Sequence, residues 1–146
     1  MRRTLAALAV TVGLVAAVPA AAQAAAPLPA FSLSCHLTSL TDGRIDTPAI
    51  TRSALRDKVD SDSFRARTIR RADNTQSTVV MYEALVQLYD SPNGWVNWTS
   101  RNNVNDTTWD PNAKYNVNAS YTKFRYKFTH SDRTAAHTCY TTEVNF

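Results

Sequence analysis

The sequence predicts an all-β protein, a single antiparallel β-sandwich closed by one disulfide. Apolar residues recur at every second position in several segments, which is the period of a half-buried strand. Turn-forming residues separate these segments. The two cysteines, Cys35 and Cys139, lie near the two ends of the alternating region. Immunoglobulin-like and jelly-roll-like topologies both fit this pattern.

Residues 1–25 have the layout of a secretory signal peptide. Two arginines precede an apolar stretch, and an alanine-rich run with Ala-x-Ala follows it. The apolar stretch, residues 5–18, is shorter than the roughly 20 residues that a membrane-spanning helix needs. We therefore expect a secreted, extracellular protein with no stable membrane association. The leader is of bacterial type, and residues 26–146 should form the single β-sandwich domain.

The charge of the chain argues against a nucleic-acid partner. The formal net charge is +4, and two of the positive charges belong to Arg2 and Arg3 in the leader. Nucleic-acid binding domains carry a clustered basic face. The remaining chain is only weakly basic, so no nucleic acid is expected as a partner.

The cysteines predict a disulfide between Cys35 and Cys139. An oxidising exterior favours the bond, and two cysteines allow only one pairing. Closing a loop of about 100 residues contributes ~4–5 kcal/mol in the chain-entropy model. The separation of the two residues matches no zinc or redox motif.

The first part of the domain predicts a strand, a turn and a short helix. Residues 31–37 (FSLSCHL) alternate, with apolar side chains on one face. Asp42 and Gly43 then form a turn dipeptide. A short helix is expected near 48–59, where a threonine precedes a proline in the manner of a cap and a first helical residue.

A hairpin is expected in the middle of the chain. It pairs residues 78–90 with residues 95–100 through a turn that contains Pro92, Asn93 and Gly94. The following residues, 101–113, are polar and predict a loop.

The last third predicts further strands. Apolar positions are odd-numbered up to Tyr121 and even-numbered from Phe124, which indicates a β-bulge or a tight turn between them. The opposite face of this strand carries three cations. They are Lys123, Arg125 and Lys127. A final alternating strand follows near the C-terminal end.

All three tryptophans of the chain lie within residues 94–110 (GWVNWTSRNNVNDTTWD). On a strand, Trp95 and Asn97 share one face and Trp98 lies on the other, so at least one indole should be exposed. Exposed aromatic rings beside amides suit a sugar ligand, which stacks on the ring and bonds to the amides. The predicted ligand-binding residues are Trp95, Asn97, Trp98, Asn102, Asn105 and Trp109.

Motifs for catalysis and cofactors are absent from the sequence. It contains no Gly-x-Ser-x-Gly elbow, no phosphate-binding glycine loop and no paired-histidine zinc helix. His36 and His137 are predicted on opposite sides of the sheet, as surface or rim histidines. No catalytic residue, cofactor or metal is therefore expected.

Two clusters of oxygen-bearing side chains resemble calcium ligands only in composition. They lack the glycine and final glutamate of an EF-hand loop, and turn formation explains them better, with calcium as the alternative. The clusters are Asn102, Asn103, Asn105, Asp106 and Asp110, and Asp57, Asp60 and Asp62.

Three hypotheses of function follow. The leading one is a non-catalytic module that binds a carbohydrate or cell-wall glycan through the 94–110 edge. The alternative is a protein-interaction module (an inhibitor, toxin or surface-assembly component) that uses the cationic face of residues 123–127 with Tyr121 nearby. The third is a small secreted hydrolase. Its candidate acids are Glu83, Asp106, Asp110 and Glu143.

Overall fold

The structure, a computed structural model, describes residues 27–51, 54–56, 64–108 and 117–146. The predicted signal peptide lies outside these residues. Nine strands occupy the described ranges. They are β1 (Phe31–His36), β2 (Thr41–Thr47), β3 (Arg65–Arg70), β4 (Met81–Asp90), β5 (Gly94–Val104), β6 (Thr107–Thr108), β7 (Tyr121–His130), β8 (Thr138–Tyr140) and β9 (Val144–Asn145).

The strands form two antiparallel sheets that pack face to face. One sheet has the order β1-β2-β3-β6, and the other has the order β5-β4-β7-β8 with β9 paired to β7. Both sheets contribute inward-facing side chains to one apolar core. The largest fully buried side chains are Tyr126, Phe64, Phe124, Phe128, Leu37, Ile45, Leu55, Met81, Leu88 and Val86. The predicted all-β sandwich is confirmed.

A disulfide joins the two sheets. Cys35 on β1 is bonded to Cys139 on β8, with 5.8 Å between their Cα atoms. The predicted pairing is confirmed, and a structural cystine of this kind indicates a compartment outside the cytoplasm. None of the helical segments in the described ranges has the length and apolar character needed to span a bilayer.

The turn predicted at Asp42 and Gly43 is wrong, because both residues lie inside β2. The chain reverses earlier, at residues 37–40, where two backbone amides donate to the carbonyl of Thr41. Gly43 has a packing role instead. A Cβ atom at this position would lie 2.4 Å from Cδ2 of Phe128, so only glycine lets that ring approach β2.

The predicted hairpin is confirmed as β4 and β5. The amide of Asn93 donates to the carbonyl of Asp90 at 3.0 Å, and Gly94 has the positive φ that ends such a turn. The loop predicted at 101–113 is wrong at its start, because β5 continues to Val104, which is fully buried. The sequence of the second half of β5 does not show the apolar alternation of a strand, because β5 is an edge strand with polar residues at most outer positions.

The predicted change of parity in the last third is a β-bulge in β7. Tyr89 lies opposite Lys123, whereas the next residue of β4 lies opposite Tyr121. Thr122 is therefore the extra residue, and the bulge re-aims the aromatic side chains that follow.

The expected short helix is present in part. Residues 54–56 are helical, within the predicted span 48–59, and Leu55 is fully buried. Residues 52–53 and 57–63 lie outside the described ranges.

Candidate functional site

The outer face of the five-stranded sheet carries aromatic rings and cations side by side. Strand β4 lies between β5 and β7, so its outward residues are flanked by those of both neighbours. Tyr89 pairs with Trp95 on one side and with Lys123 on the other. We call this surface the aromatic–basic face. It comprises Gln87, Tyr89, Trp95, Asn97, Lys123, Arg125, Lys127 and Tyr140.

Arg125 lies at the centre of the aromatic–basic face, between two rings. Its guanidinium carbon is 4.1 Å from the ring centroid of Trp95 and 4.4 Å from that of Tyr140. Both distances are well inside the range of a cation–π contact. Within the described part of the chain, no carboxylate forms an ion pair with Arg125. Its guanidinium contacts two aromatic rings and one side-chain amide instead.

Gln87 fixes the orientation of Arg125. Nε of Arg125 donates to Oε1 of Gln87 at 2.9 Å. Nε2 of Gln87 in turn donates to Oδ1 of Asn97 at 2.9 Å, so one chain of hydrogen bonds crosses three strands. Gln87 is only 8% exposed, and such a satisfied, nearly buried amide restrains the side chains on either side of it.

Lys123 supplies a second cation to the same surface. Its Nζ lies 4.8 Å from the ring centroid of Tyr89 and 5.7 Å from that of Trp95. The two rings meet edge to face with centroids 5.3 Å apart, a favoured aromatic geometry. Lys123 also forms an ion pair with Glu143, which compensates part of its charge.

A depression of about 480 Å³ adjoins Arg125 on the same face. Four hydroxyl groups (Tyr82, Thr129, Thr138 and Tyr140), two cations (Lys127 and Arg133) and the carboxylate of Glu83 line it. The guanidinium of Arg133 lies 4.0 Å from the ring centroid of Tyr82, at one wall. Tyr140 is 47% exposed and belongs to both the depression and the Arg125 stack.

The two central tryptophans lie on opposite faces of the sheet. Trp98 is the extra residue of a bulge in β5 and packs against the core, edge to face with Tyr121 at 5.7 Å. Trp95 lies on the outer face with Asn97. Trp98 therefore helps to hold the sandwich together, and Trp95 is the half-buried indole of the aromatic–basic face.

The other predicted ligand-binding residues are not gathered around Trp95. Asn102 lies farther along β5, opposite Glu83. Asn105 lies in the turn after that strand, where its Oδ1 is 3.5 Å from the side-chain Nε2 of Gln76. Trp109 lies outside the described residues. The structure therefore brings two of the six predicted residues, Trp95 and Asn97, to the aromatic–basic face.

The cations that the protein-interaction hypothesis uses lie on the same surface as Trp95, the indole that the glycan hypothesis uses. The sequence shows the alternation that exposes Lys123, Arg125 and Lys127, but it does not show that β4 pairs with both β5 and β7. Tyr121, predicted near the cations, packs inward against Trp98 instead. Its position follows from the bulge at Thr122.

The candidate hydrolase acids are dispersed. Glu83 lies opposite Thr129 near one end of β7, and Glu143 pairs with Lys123 near the other end. These two positions of β7 are six residues apart, or roughly 20 Å at 3.3 Å per residue. A glycosidase pair needs roughly 5–10 Å. Asp106 is paired with Arg65, and Asp110 lies outside the described residues.

The described residues of the first oxygen-rich cluster lie at the end of β5 (Asn102 and Asn103) and in the turn after it (Asn105 and Asp106). Asn103 and Asp106 both have positive φ angles, 54° and 68°, which asparagine and aspartate adopt readily. The carboxylate of Asp106 is taken by the guanidinium of Arg65. The aspartates of the second cluster, residues 57–62, lie outside the described ranges.

Two histidines meet at the end of β7, a pair that the sequence did not predict. The rings of His130 and His137 have centroids 5.2 Å apart, edge to face, and Asp132 lies between their nitrogens. A backbone hydrogen bond from Thr134, together with His137, lowers the pKa of Asp132 to about 2. His36 lies elsewhere and pairs with Asp42 at 2.7 Å.

Comparisons of this chain with protein-family models, with curated proteins and with solved structures found no match.

Proposed function

We propose that the protein is a secreted binding module that holds an acidic glycan on its aromatic–basic face. The observation that carries the proposal is the position of Arg125, stacked between Trp95 and Tyr140 and fixed by Gln87. The leader-like residues 1–25 and the disulfide support export, and a cell-wall or extracellular polysaccharide is the partner expected there.

The state of Arg125 favours an anionic ligand. A guanidinium is weakly hydrated and presents a rigid fork of donors that matches a carboxylate or sulfate. Stacking on two rings and the bond to Gln87 restrict its motion before any ligand arrives, which reduces the entropy lost on binding. Lys127 lies opposite Tyr140 in the sheet and adds positive charge beside it.

The neighbouring depression favours a sugar as the carrier of that anion. Its volume of about 480 Å³ falls in the range of small-molecule sites. Hydroxyl groups of Tyr82 and Thr129 can exchange hydrogen bonds with sugar hydroxyls, and the exposed ring of Tyr140 offers a stacking surface. A protein partner would more commonly use an apolar central patch, whereas cations here cover the rings.

The test is a binding assay with a matched set of polysaccharides. We expect purified protein to bind a polyuronate in isothermal titration calorimetry, and to bind neutral cellulose, xylan and chitin fragments at least tenfold more weakly. The affinity should fall as salt is raised, because exposed charges are screened.

Two variants, each of which removes one positive charge, test whether the aromatic–basic face binds the polyuronate. Arg125→Gln should weaken polyuronate binding about tenfold or more. Arg70→Gln removes an exposed arginine of the other sheet, which among the described residues forms an ion pair with Asp73 alone, at 3.4 Å, and should leave binding unchanged. Equal binding of neutral and acidic polymers, or an equal loss in both variants, would overturn the proposal.

A further inference from the structure

We propose that His130, Asp132 and His137 form a binding site for a divalent transition-metal ion, with Zn²⁺ as the best fit. One potential ligand atom from each side chain lies within 4.8 Å of the other two. This is the single group of three such residues in the described ranges. The inference goes beyond the proposed glycan binding and does not depend on it.

The register of the β7–β8 hairpin explains why the histidines meet. Thr129 lies opposite Thr138 in the last pair of the ladder, and His130 and His137 are the residues directly beyond that pair. His137 is the last residue of a short 3-10 helix, Ala135–His137, and is not itself part of the ladder. The end of the ladder and this helix together bring the two imidazole rings to a centroid distance of 5.2 Å.

Asp132 is held in place by its own turn. Its Oδ1 accepts hydrogen bonds from the backbone N–H of Thr134 at 3.0 Å and from the hydroxyl of Thr134 at 3.1 Å. Its Oδ2 lies 2.5 Å from Nδ1 of His137, and Oδ1 lies 3.5 Å from Nδ1 of His130. One carboxylate thus reaches both imidazoles, which is the arrangement that a shared cation would complete.

The donor set selects a class of metal ion. Two imidazoles and one carboxylate suit Zn²⁺, Cu²⁺ and Ni²⁺, whereas Ca²⁺ and Mg²⁺ prefer sites made of oxygen alone. Zinc bonds of roughly 2.0–2.1 Å in a tetrahedron place ligand atoms about 3.3 Å apart. The three ligand atoms, which lie within 4.8 Å of one another, would close to that spacing when the ion binds, and three protein ligands leave a fourth position for water or a partner group.

The alternative is an ordinary ion pair between His137 and Asp132. The chain offers an internal control, because His36 forms such a pair with Asp42 at 2.7 Å without a second imidazole. The chain has three histidines, so each ring signal in an NMR spectrum can be assigned by single substitution. A true site should perturb two of them and leave the third unchanged.

The experiment titrates untagged, metal-free protein with ZnCl₂ in a non-chelating buffer. We expect one equivalent of Zn²⁺ in calorimetry and shifts of the His130 and His137 ring signals, with the His36 signals unmoved. His130→Ala and His137→Ala should each weaken binding at least tenfold, whereas His36→Ala should bind as tightly as the unaltered chain. The circular dichroism spectrum of each variant, including Asp132→Asn, checks that the fold is retained.

Several results would overturn the proposal. One is the absence of saturable binding up to millimolar Zn²⁺, and another is full binding in folded His130→Ala protein. Equal shifts of all three histidine rings would also overturn it, because they would indicate weak imidazole binding without a site. None of these measurements involves a glycan, so failure here is distinguishable from failure of the proposed function.

Discussion

The guanidinium of Arg125 lies 4.1 Å from the ring centroid of Trp95 although the two residues belong to strands that do not pair with each other. Strand β4 lies between them, so their backbones are about 10 Å apart, two strand spacings of ~4.8 Å. The arginine side chain reaches across that strand and donates a hydrogen bond to Oε1 of Gln87 on the way. This geometry requires the length and the planar fork of an arginine.

Replacing Arg125 by lysine should therefore impair ligand binding even though the charge is kept. The ammonium group cannot stack on two rings or bond to Gln87 in the same plane. We expect the affinity for a polyuronate to fall about tenfold, which corresponds to about 1.4 kcal/mol. Calorimetry measures the affinity, and thermal unfolding should show only a small change.

The matched control is Arg70→Lys, which changes an exposed arginine on the other sheet and should leave the affinity as it is. Unaltered polyuronate affinity in the Arg125→Lys variant would show that charge alone is recognised, and the stacked geometry would then have no role in binding.

Removing the disulfide should lower stability substantially. The bond closes a loop of 104 residues between β1 and β8 and so restricts the unfolded chain. The double variant Cys35→Ala, Cys139→Ala should lose about 4–5 kcal/mol of unfolding free energy in the chain-entropy model. Denaturant unfolding, with and without a reductant, measures the loss. A reductant should destabilise the unaltered chain and have no effect on the variant, and any other pattern contradicts this account.

Adding one methyl group at Gly43 should also destabilise the fold. The new Cβ would meet the ring of Phe128 at 2.4 Å, across the interior of the sandwich. Overpacking of a core costs typically 1–3 kcal/mol, and we expect Gly43→Ala to fall in that range. Denaturant unfolding gives the value.

A second substitution identifies the cause. Phe128→Ala removes Cδ2 and Cγ, the two atoms nearest to the added methyl group, so Gly43→Ala should cost clearly less in that background than in the unaltered chain, a coupling seen in a double-mutant cycle. Strictly additive losses would show that the glycine is required for a reason other than this ring.

Gly43 also marks a limit of sequence-based inference about the fold. An Asp-Gly pair after an alternating segment is a strong local turn signal. In the structure both residues lie in β2, and Gly43 makes room for Phe128, 85 positions later in the chain. Signals that are local in nature, such as the hairpin around Gly94 and the bulge at Thr122, were predicted correctly.

The candidate site was predictable in its parts and not in its assembly. Alternation placed the cations of residues 123–127 on one face and predicted that Trp95 and Trp98 lie on opposite faces, because each depends only on its own strand. That Trp95 and the cations lie side by side depends on the order of the strands in the sheet, which alternation does not encode. The proximity of His130 and His137 depends likewise on how the end of β7 meets the short helix before β8, which alternation does not encode.

Asp46 is the acceptor of a polar cluster on the outer side of the four-stranded sheet. It accepts hydrogen bonds from Ser32 at 2.6 Å and from Nε of Arg44 at 2.7 Å, and its second oxygen accepts from Nε of Arg67 at 2.7 Å. Burial alone would raise the pKa of Asp46. The hydrogen bonds from Ser32 and Arg44 and the charges of both arginines outweigh it and lower the pKa.

A lowered pKa means that the folded state favours the ionised carboxylate. The stabilisation is complete above the unfolded pKa of about 4 and is lost as pH falls through the lower folded value. At pH 7, Asp46→Asn should be less stable by about 1 kcal/mol, a figure reduced for solvent screening since a quarter of the side chain is exposed. The difference should shrink below pH 4 in denaturant unfolding. If it grows on acidification, or stays constant from pH 7 to 2, the cluster does not stabilise the fold through the ionised form of Asp46.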